Sequence, residues 1–500
     1  MTDVVVAGAG PVGLLLACEL RLAGVTVVVL ERNTEIDLTV KAGYITVPGI
    51  QALDRRGLSP AIERARDETL ARMGFAGRGP VQQKMPRFIG HFGGMMLDGQ
   101  LLDPDDPDIA AGGRFSALGM VSQQQLEVIL EERARALGAE VRRGVTLTDF
   151  EQHADGVVVT TDQGLIEAGW LAGCDGGRST VRKLAGFAFP GTDPEITAYQ
   201  AIADMIGTEG LRPGWHITDT GVYTFGPFPG RILVAEFDGA PADRTSPVTV
   251  DELQGAIRRV TGVDVTVTGI SSVTRFTDNA RQAGTYRSGR VLLAGDAAHV
   301  HSPFGGQGIN LGLGDAMNLG WKLAATIRGW APDGLLDTYT AERHPIGAQI
   351  LDWTRAQIAI MRPDQHSRAI RGVLQGLTST VDATTWLAKR ISGVWQGYDL
   401  PGDHPLTGRS APDLTFDDGT RLPDHLHSGR ALLVDLADDP DLPALATGYA
   451  DRLTVHSAKA ATSDLTAALI RPDGYVAWAS SGSPTTDLRH HLTTWLGNPA

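Results

Sequence analysis

The sequence predicts an α/β protein with a nucleotide-binding domain at its N-terminus, an inserted β-sheet domain and a small C-terminal domain. Two observations carry this prediction. An apolar strand, a glycine-rich turn, a helix and a second apolar strand follow one another at the start of the chain, as in a βαβ unit. Further along, residues 290–313 read RVLLAGDAAHVHSPFGGQGINLGL, in which another buried strand opens into glycines and a helix.

The first βαβ unit follows from its hydrophobic pattern. Val4–Ala7 predicts a buried strand, Leu14–Leu22 a helix, and Val25–Leu30 a second buried strand. The turn after the first strand reads GAGPVG and fits the G-x-G-x-x-G pattern of dinucleotide-binding folds. Because this motif stands between a strand and a helix, it is specific, and we predict a Rossmann-type domain.

Each residue type in this unit has a role in binding a dinucleotide. Gly8 allows the tight turn, Gly10 lets backbone approach a pyrophosphate, and Gly13 lets the helix pack on the strand. The helix N-terminus then faces the anion, and Glu31 can accept from a ribose hydroxyl. The predicted cofactor-binding residues of the turn are Gly8, Gly10, Pro11, Val12 and Gly13.

The second glycine-rich turn predicts that the dinucleotide is a flavin. The strand ends at Asp296, whose carboxylate can accept hydrogen bonds from a sugar-alcohol chain. The helix N-terminus at Gly308–Asn310 can stabilise negative charge. A reduced flavin has both a ribityl chain and charge at its N1/C2-carbonyl edge, and the glycines let its flat ring lie against backbone.

A metal site is the alternative interpretation of this turn. Asp296, His299 and His301 could form a ligand cluster, but glycines and no supporting acid follow them. The two cysteines, Cys18 and Cys174, have no partners at metal-binding spacing. We therefore expect no metal and no disulfide.

The rest of the chain divides by its pattern into three regions. Residues 185–285 alternate short strand-like runs with turns, and helices dominate 315–392. After Pro401 the strand-like runs RALLVDL, RLTVHSA and YVAWAS alternate with helices. The predicted domains are 1–75, 111–184 and 286–390 for the discontinuous FAD-binding domain, 76–110 and 185–285 for the substrate-binding sheet domain, and 398–500 for the C-terminal domain.

Composition excludes several classes of protein. The net charge of −14 argues against a nucleic-acid partner, because phosphate binding needs a basic surface. No window reaches the ~18 uninterrupted apolar residues of a membrane span. We expect a cytoplasmic protein that is a monomer or a homodimer.

Three stretches resemble the fingerprints of the class A flavoprotein aromatic hydroxylases, the para-hydroxybenzoate hydroxylase-like family. They are GAGPVGLLLACELRLAGVTVVVLER, CDGGRSTVR and LLAGDAAHVHSPFGGQGINLGLGDAMNLGWKLA, in the family's order. RPDGYVAW is similar to the thioredoxin-like C-terminal domain of the members that act on phenols and aromatic polyketides. Since no cysteine follows Cys174, a thioredoxin-like domain here would be architectural and not redox-active.

The resemblance implies roles for further residues. Arg32 would lie near the adenine, Gln123 would contact the FAD, and Asp175 belongs to an Asp-Gly motif implicated in FAD and NAD(P)H handling. Pro303 would lie near the reactive carbon of the flavin. The flavin ring would accept hydrogen bonds from the backbone N–H groups of Gly308, Ile309, Asn310 and Leu311. Gly306, which precedes them, would also bind the cofactor.

Lys41 is a departure from the family pattern. The family commonly has Arg-Ala after the second strand, where this chain has Lys41-Ala42. Lysine keeps the positive charge but lacks the planar guanidinium, which leaves its role beside flavin and nicotinamide open. We name Lys41 and Pro303 as the candidate catalytic residues.

The resemblance implies an enzyme that uses FAD, NADPH or NADH, and O2 to hydroxylate an aromatic substrate through a flavin C4a-hydroperoxide. The substrate is expected to be a polycyclic polyketide. A Baeyer–Villiger or rifampicin-inactivating monooxygenase is the main alternative, and a non-catalytic FAD or aromatic-ligand binding protein is a remote one. A disulfide reductase is excluded because a second G-x-G-x-x-G and a cysteine pair are missing.

Aromatic and apolar residues of the sheet domain are candidates for the substrate pocket, although sheet faces must also be buried to form a core. These residues are Phe75, Phe88, Phe92, Met95, Met96, Tyr223, Phe225, Phe228 and Phe237.

Overall fold

The computed structural model describes residues 1–72, 88–116, 119–243, 246–460, 464–482 and 485–499. The candidate pocket residue Phe75 and the start of the predicted segment 76–110 lie outside these ranges. Among the described residues, no helix is long and apolar enough to cross a membrane.

The strands fall mostly where the apolar runs predict them. In chain order they are β1 (Thr2–Ala7), β2 (Val27–Glu31), β3 (Phe88–Phe92), β4 (Met95–Asp98), β5 (Glu140–Arg143), β6 (Leu147–Gln152), β7 (Val157–Thr161), β8 (Gly164–Gly173), β9 (Gly191–Thr192), β10 (Thr197–Ile206), β11 (Gly214–Ile217), β12 (Gly221–Phe225), β13 (Arg231–Glu236), β14 (Thr266–Phe276), β15 (Ala280–Gln282), β16 (Arg287–Ser288), β17 (Val291–Leu293), β18 (His299–Val300), β19 (Ala431–Asp435), β20 (Leu453–Ser457), β21 (Ala467–Ile470) and β22 (Val476–Ser480).

The helices cluster in the first third of the chain and after the second glycine-rich turn. They are α1 (Pro11–Leu22), α2 (Val47–Asp54), α3 (Ser59–Arg72), α4 (Pro107–Ser116), α5 (Gln123–Ala136), α6 (Thr180–Leu184), α7 (Val250–Thr261), α8 (Gly308–Arg328), α9 (Thr338–Met361), α10 (Gln365–Leu377), α11 (Val381–Ser392), α12 (Asp441–Ala446) and α13 (Thr485–Leu496).

The nucleotide-binding sheet is largely parallel and confirms the predicted α/β fold. Its strands lie in the order β16-β17-β8-β1-β2-β5, and β7 and β6 extend it from β8. Ala7 at the end of β1 is in register with Leu30 of β2 and Gly173 of β8, and Leu293 of β17 is in register with the same Gly173. The carboxyl ends of four strands therefore meet at one edge, where ligands bind in open α/β sheets.

A second, antiparallel sheet is inserted between α6 and β16. Its strand order is β11-β12-β13-β10-β14. One face packs under α7, where Leu253 and Ile257 are fully buried. The opposite face carries Val222 and Leu233 against Phe304, from the second glycine-rich turn. Because side chains along a strand alternate between the two faces of a sheet, the inserted sheet packs against α7 with one face. Its other face packs against the loop that follows β17.

The hairpin of β3 and β4 is a separate sheet in the described residues, and does not extend the five-stranded one. Phe92 and Leu97 pack against Ile360 of α9 and Leu387 of α11. Its tip approaches the five-stranded sheet through His91, whose ring centroid lies 4.4 Å from that of Trp215. The hairpin therefore bridges the helices and the inserted sheet.

The C-terminal region forms a four-stranded sheet in the order β20-β19-β21-β22. The sequence pattern predicts β19, β20 and β22 but misses β21, Ala467–Ile470, which is entirely buried. Its sequence, AALI, is a run of only four residues, and periodicity alone does not distinguish so short a buried run from a segment of buried helix.

A buried group of charges joins this region to α8 and α9. The Arg471 guanidinium contacts Asp473 and lies 2.7 Å from Glu342, which also lies 2.9 Å from Lys322 Nζ. Burial lowers the pKa of Lys322 to about 7 although Glu342 opposes that shift. Burial would raise the pKa of Glu342, but Arg471 and Lys322 hold it well below its usual range. Two basic and two acidic side chains therefore pack against one another away from water.

We predict that Arg471→Ala lowers the free energy of unfolding by about 3–5 kcal/mol, because it leaves buried carboxylates with too few partners. Urea denaturation followed by far-UV circular dichroism measures the change. Arg142→Ala is the matched control, since Arg142 makes an exposed pair with Glu140 and should change stability by less than about 1 kcal/mol. Equal losses in the two variants would contradict the prediction.

Candidate active site

The first glycine-rich turn lies at the carboxyl end of β1 and leads into α1. Gly8 has a φ of +106°, and a Cβ at Gly8 would collide with the backbone of Cys174. A Cβ at Gly13 would collide with the carbonyl of Gly8. A Cβ at Gly10 would meet no atom within 4 Å. Gly8 and Gly13 are thus required by the fold, whereas Gly10 faces open space and leaves room for a phosphate.

Glu31 lies beside this turn at the end of β2. Its Oε2 accepts from Ala9 N at 2.9 Å and its Oε1 accepts from Asn33 N at 2.9 Å. The carboxylate is thereby held at the glycine-rich turn, as expected for a ribose-binding acid. Arg32 follows it and is exposed, so its guanidinium is available at the same edge.

Asp175 stands two residues after β8, at the neighbouring strand end. Its Oδ2 accepts from Thr180 N at 2.7 Å and from Val181 N at 3.1 Å. Its Oδ1 is buried and has no hydrogen-bond partner among the described residues. Since buried polar atoms are nearly always paired, this oxygen indicates that a ligand donates to it.

Asp296 and the N-terminus of α8 face each other across the second turn. Asp296 is exposed, and a Cβ at Gly308 would lie 3.9 Å from its Oδ1 and 3.7 Å from His301 Nε2. Among the residues that the structure describes, no side chain caps the N-terminus of α8, which leaves its first N–H groups for a ligand. A carboxylate, an imidazole and a helix N-terminus therefore converge on one place.

His301 contributes an acceptor that the sequence analysis considered only as a metal ligand. Its Nδ1 lies 2.8 Å from Ser302 O, and because a carbonyl only accepts, Nδ1 carries the proton. Its Nε2 is buried without a partner among the described residues. Burial lowers the pKa of His301, which keeps the ring neutral and Nε2 available as an acceptor.

The second turn is held from behind by Asp315 of α8, which the sequence analysis did not identify. The carboxylate accepts from Gly295 N at 3.0 Å and contacts His299 Nε2 at 2.6 Å and Arg343 Nε at 2.8 Å. Burial would raise the pKa of Asp315, but His299 and Arg343 together lower it. His299 is therefore buried and bound to Asp315, and it supports the turn.

Val12 and Asn310 join the two turns to the rest of the site. Val12 of α1 fills the space that Gly295 and Gly312 leave on the other turn and on α8. The Asn310 side chain donates to Gly306 O at 2.9 Å and accepts from Thr46 N at 2.8 Å. Asn310 therefore has only its backbone N–H to offer a flavin, because its side chain is committed to the protein.

Pro303 begins a short turn that ends at the helix. Gly306 N donates to Pro303 O at 3.0 Å, and both residues are exposed. Phe304 between them is buried, with its ring 5.7 Å from that of Trp215 and 5.9 Å from that of Phe276. The predicted reactive end of the flavin site is thus adjacent to an aromatic group of the inserted sheet. Neither Trp215 nor Phe276 of this group was among the predicted pocket residues.

Lys41 follows β2 and Gln123 begins α5, and the two segments are in contact outside the two glycine-rich turns. Gln123 N donates to Ala42 O at 2.9 Å, and the Gln123 side chain donates to Glu127 Oε1 at 2.8 Å. Lys41 Nζ lies 2.9 Å from Asp37 Oδ2, and both side chains are about one-third exposed. Because this ion pair is open to solvent, it leaves the Lys41 side chain free to turn toward a ligand.

These features fit FAD. Gly10 and the start of α1 would hold the pyrophosphate, Glu31 the adenosine ribose, and Asp296 with His301 the ribityl hydroxyls. The unpaired oxygen of Asp175 supplies a further acceptor, and the α8 N-terminus would face the polar edge of the flavin ring. The donor and acceptor sets match the two chemical ends of this cofactor.

Comparison with known proteins identifies the family. The protein-family model described as "FAD binding domain" matches residues 1–354. A second family model, described as "Aromatic-ring hydroxylase, C-terminal", matches residues 404–499. The chain therefore belongs to the family of FAD-binding aromatic-ring hydroxylases, and it is an FAD-dependent monooxygenase. This confirms the resemblance found in the sequence.

Relatives are similar over their full length. The 12-dehydrotetracycline 5-monooxygenase/anhydrotetracycline 6-monooxygenase of Streptomyces rimosus is 42% identical, with 100% of this chain and 99% of that protein covered. Rifampicin monooxygenase of Streptomyces venezuelae is 39% identical, with 99% of each chain covered. The solved structure of the anhydrotetracycline hydroxylase OxyS from Streptomyces rimosus has a TM-score of 0.87 at 39% identity and covers 100% of both chains.

We predict that Gly10→Ala weakens FAD binding at least about tenfold and leaves the stability of the FAD-free protein unchanged. The added methyl group meets no protein atom but occupies the space through which a pyrophosphate approaches. Fluorescence titration of FAD into the FAD-free protein measures the affinity, and differential scanning fluorimetry the stability.

Gly284→Ala is the control for this substitution, because a Cβ there also meets no atom within 4 Å and the position lies outside both glycine-rich turns. It should bind FAD like the wild type. Wild-type affinity in Gly10→Ala would contradict the assignment of this turn to the pyrophosphate.

Proposed function

We propose that this monooxygenase uses NADPH or NADH and O2 to hydroxylate a polycyclic aromatic polyketide in antibiotic biosynthesis, in the cytoplasm. The observation that carries the proposal is the aromatic group beside the flavin turn, where Trp215 and Phe276 of the inserted sheet surround Phe304. Trp215 and Phe276 are partly exposed, and their faces suit a broad, flat and apolar substrate. Full-length similarity to an anhydrotetracycline monooxygenase supports the same substrate class.

FAD, when bound, accepts two electrons from the nicotinamide and activates O2 for transfer of one oxygen atom to the substrate. The protein holds and surrounds it. We propose that backbone N–H groups at Gly308 and Ile309 stabilise negative charge at the ring, since a helix N-terminus favours anions. Asp296 and His301 would fix the ribityl chain and so the position of the ring.

Pro303 and Phe304 would separate the reactive edge from solvent on the side of the inserted sheet. Phe304 is 2% exposed and anchors the turn, so that Pro303 stays at the site. Exclusion of water strengthens the electrostatic interactions within the site and protects a reactive oxygen species from side reactions. This is the role we propose for Pro303, which provides no ionisable group.

Lys41 is the cation that we propose for nicotinamide and flavin handling. Val40 N donates to Ser272 Oγ of β14 at 2.9 Å, and Ala42 O accepts from Gln123 N. Lys41 is thus held between the inserted sheet and the start of α5, while its side chain remains partly exposed. From this position it can move from Asp37 to an incoming anionic cofactor.

Product analysis tests the proposed reaction. With an aromatic polyketide such as anhydrotetracycline, NADPH and ¹⁸O2, we expect a product heavier by one oxygen atom from O2. Carbon NMR should show a new phenolic or quinonoid carbon. Loss of a ketone together with a new ester carbonyl would instead establish Baeyer–Villiger oxidation, and binding without NADPH consumption would establish a non-catalytic role.

We predict that Lys41→Ala slows flavin reduction by NADPH about tenfold, equal to about 1.4 kcal/mol of lost stabilisation, and that Lys41→Arg is tolerated because it keeps the charge. Stopped-flow absorbance at the flavin band measures the rate. Lys183→Ala is the control, since Lys183 is exposed and, within the described part of the chain, donates to the carbonyl of Arg178. An unchanged rate in Lys41→Ala would show that Lys41 is merely a surface charge.

A further inference from the structure

The face of the inserted sheet that lies toward the candidate flavin site carries polar side chains as well as aromatic ones. Gln200 of β10 is in register with Leu233 of β13 on one side and with Thr274 of β14 on the other. Because residues directly opposite one another share a face of an antiparallel sheet, these three side chains form one row. Leu233 packs in the buried group around Phe304, so the row lies on the face that is turned away from α7.

This row lies between two segments of the candidate flavin site. At one end of the same face, the ring of Phe276 lies 5.9 Å from that of Phe304 in the second glycine-rich turn. At the other end, Ser272 Oγ accepts from Val40 N at 2.9 Å. Thr274 stands midway between Phe276 and Ser272 on β14. A ligand that extends from the second turn toward the segment around Val40 would therefore pass over the row.

Arg231 adds a positive charge to this face. It begins β13, opposite Ile202 and two residues before Leu233. Its side chain is partly buried, and its Nε is buried without a hydrogen-bond partner among the described residues. The guanidinium lies 5.8 Å from the ring centroid of Phe228, one of the predicted pocket residues.

The surroundings of Arg231 provide no negative charge within the described part of the chain. Burial lowers the pKa of Arg231, and no carboxylate opposes that shift. Arginine is rarely buried in proteins unless it is paired, because a charge that loses water needs a partner. This guanidinium therefore indicates that a ligand supplies the negative charge.

Thr274 and Gln200 give independent support for a polar ligand at this face. Thr274 Oγ1 is buried and has no hydrogen-bond partner in the residues described. Gln200, directly opposite, is partly buried, and its amide can both donate and accept. Arg231 is a diagonal neighbour of Gln200, and such neighbours lie ~7–8 Å apart, within reach of long side chains. The three polar groups can thus contact one ligand.

The chemistry of these groups selects an oxygen anion. A planar guanidinium presents several N–H donors and forms strong hydrogen bonds with charged oxygens, and the hydroxyl and the amide can add further donors. Leu233 and Phe276 beside them are apolar and suit the carbon skeleton of an aromatic ligand. On an aromatic polyketide, the group that combines these properties is an acidic phenol or enol in its ionised form.

We propose that Arg231, together with Gln200 and Thr274, binds the ionised oxygen of an acidic phenol or enol on the substrate and thereby selects substrates that carry such a group. This inference rests on the function proposed above, because it assigns the polar part of the same substrate.

Binding of 2-hydroxyanthraquinone and of its methyl ether, 2-methoxyanthraquinone, to the FAD holoenzyme tests this proposal. The two probes share one flat tricyclic skeleton, but only the first can ionise. Perturbation of the flavin absorbance measures each Kd. We expect the wild type to bind the hydroxy probe at least about tenfold more tightly than the ether. Arg231→Met should remove this preference, and Arg231→Lys, which keeps the charge, should retain part of it.

The absorption spectrum of the bound probe gives a second readout, which a merely structural role of Arg231 would not move. At a pH at which free 2-hydroxyanthraquinone is mostly neutral, the probe bound to the wild type should show the phenolate band. The probe bound to Arg231→Met should show the band of the neutral phenol. Thr274→Val removes a hydroxyl at nearly constant shape and should weaken binding of the hydroxy probe about threefold or more, without affecting the ether.

Arg258→Met is the matched control, because Arg258 lies on α7 over the opposite face of the same sheet and makes an exposed pair with Asp264 at 2.8 Å. It should bind both probes like the wild type. Flavin content and melting temperature verify folding, and Thr274→Val serves as the test variant should Arg231→Met not fold. Wild-type protein that does not prefer the hydroxy probe, or an unchanged preference in the test variant, would overturn the proposal.

Flavin reduction by NADPH without substrate distinguishes the other source of an anion, the phosphates of the nicotinamide cofactor. We expect Arg231→Met to leave the NADPH concentration for half-maximal reduction unchanged. A raised concentration together with an unchanged probe preference would assign Arg231 to the cofactor and overturn the proposal. Binding of the hydroxy probe through Arg231 without hydroxylation of any polyketide would support this site, while contradicting the function proposed above.

Discussion

The buried carboxylate of Asp315 is the constraint on which the candidate site depends. It joins Gly295 N of the second turn, His299 of β18 and Arg343 of α9, and Arg343 in turn donates to Leu311 O at 2.8 Å. A buried charge without partners would cost several kcal/mol, so strand end, turn and two helices are held in one arrangement. The position of Asp296, which we propose binds the ribityl chain, follows from this arrangement.

The interface with the C-terminal region is also held by buried charge pairs, which here join two regions of the chain. At Asp315 the charges fix a ligand-binding turn, whereas Arg471, Glu342 and Lys322 fix how the two regions pack. Arg471 also lies over the rings of Trp321 and Trp495, 5.3 Å and 4.8 Å from their centroids. Such aromatic faces partly replace the water that its guanidinium loses. Charge pairing gives both contacts an orientation that apolar packing alone would specify less strictly.

The sequence predicts the parts of the site whose chemistry is local. Gly8 and Gly13 can be predicted from the sequence because a tight turn and a close helix–strand contact admit no other residue. Glu31 can be predicted because it ends a strand. Asp315 and Arg343 cannot be predicted in this way, since each lies in a helix, where a charged residue normally faces solvent. Their pairing arises only when α8 and α9 pack together. β21 was missed because a buried run of only four residues cannot be distinguished from a helix segment by its periodicity.

The same distinction explains why the cofactor is easier to predict than the substrate. Flavin binding uses backbone N–H groups, which require glycines and helix starts in a set order, and these leave a signature in the sequence. The wall that we propose for an apolar substrate uses Trp215 and Phe276, on strands of a sheet whose other face forms ordinary core. Both faces obey the same two-residue period. Only the register of β10 to β14, and the packing of Phe304 against one face, distinguishes the surface that can meet a substrate from the one beneath α7.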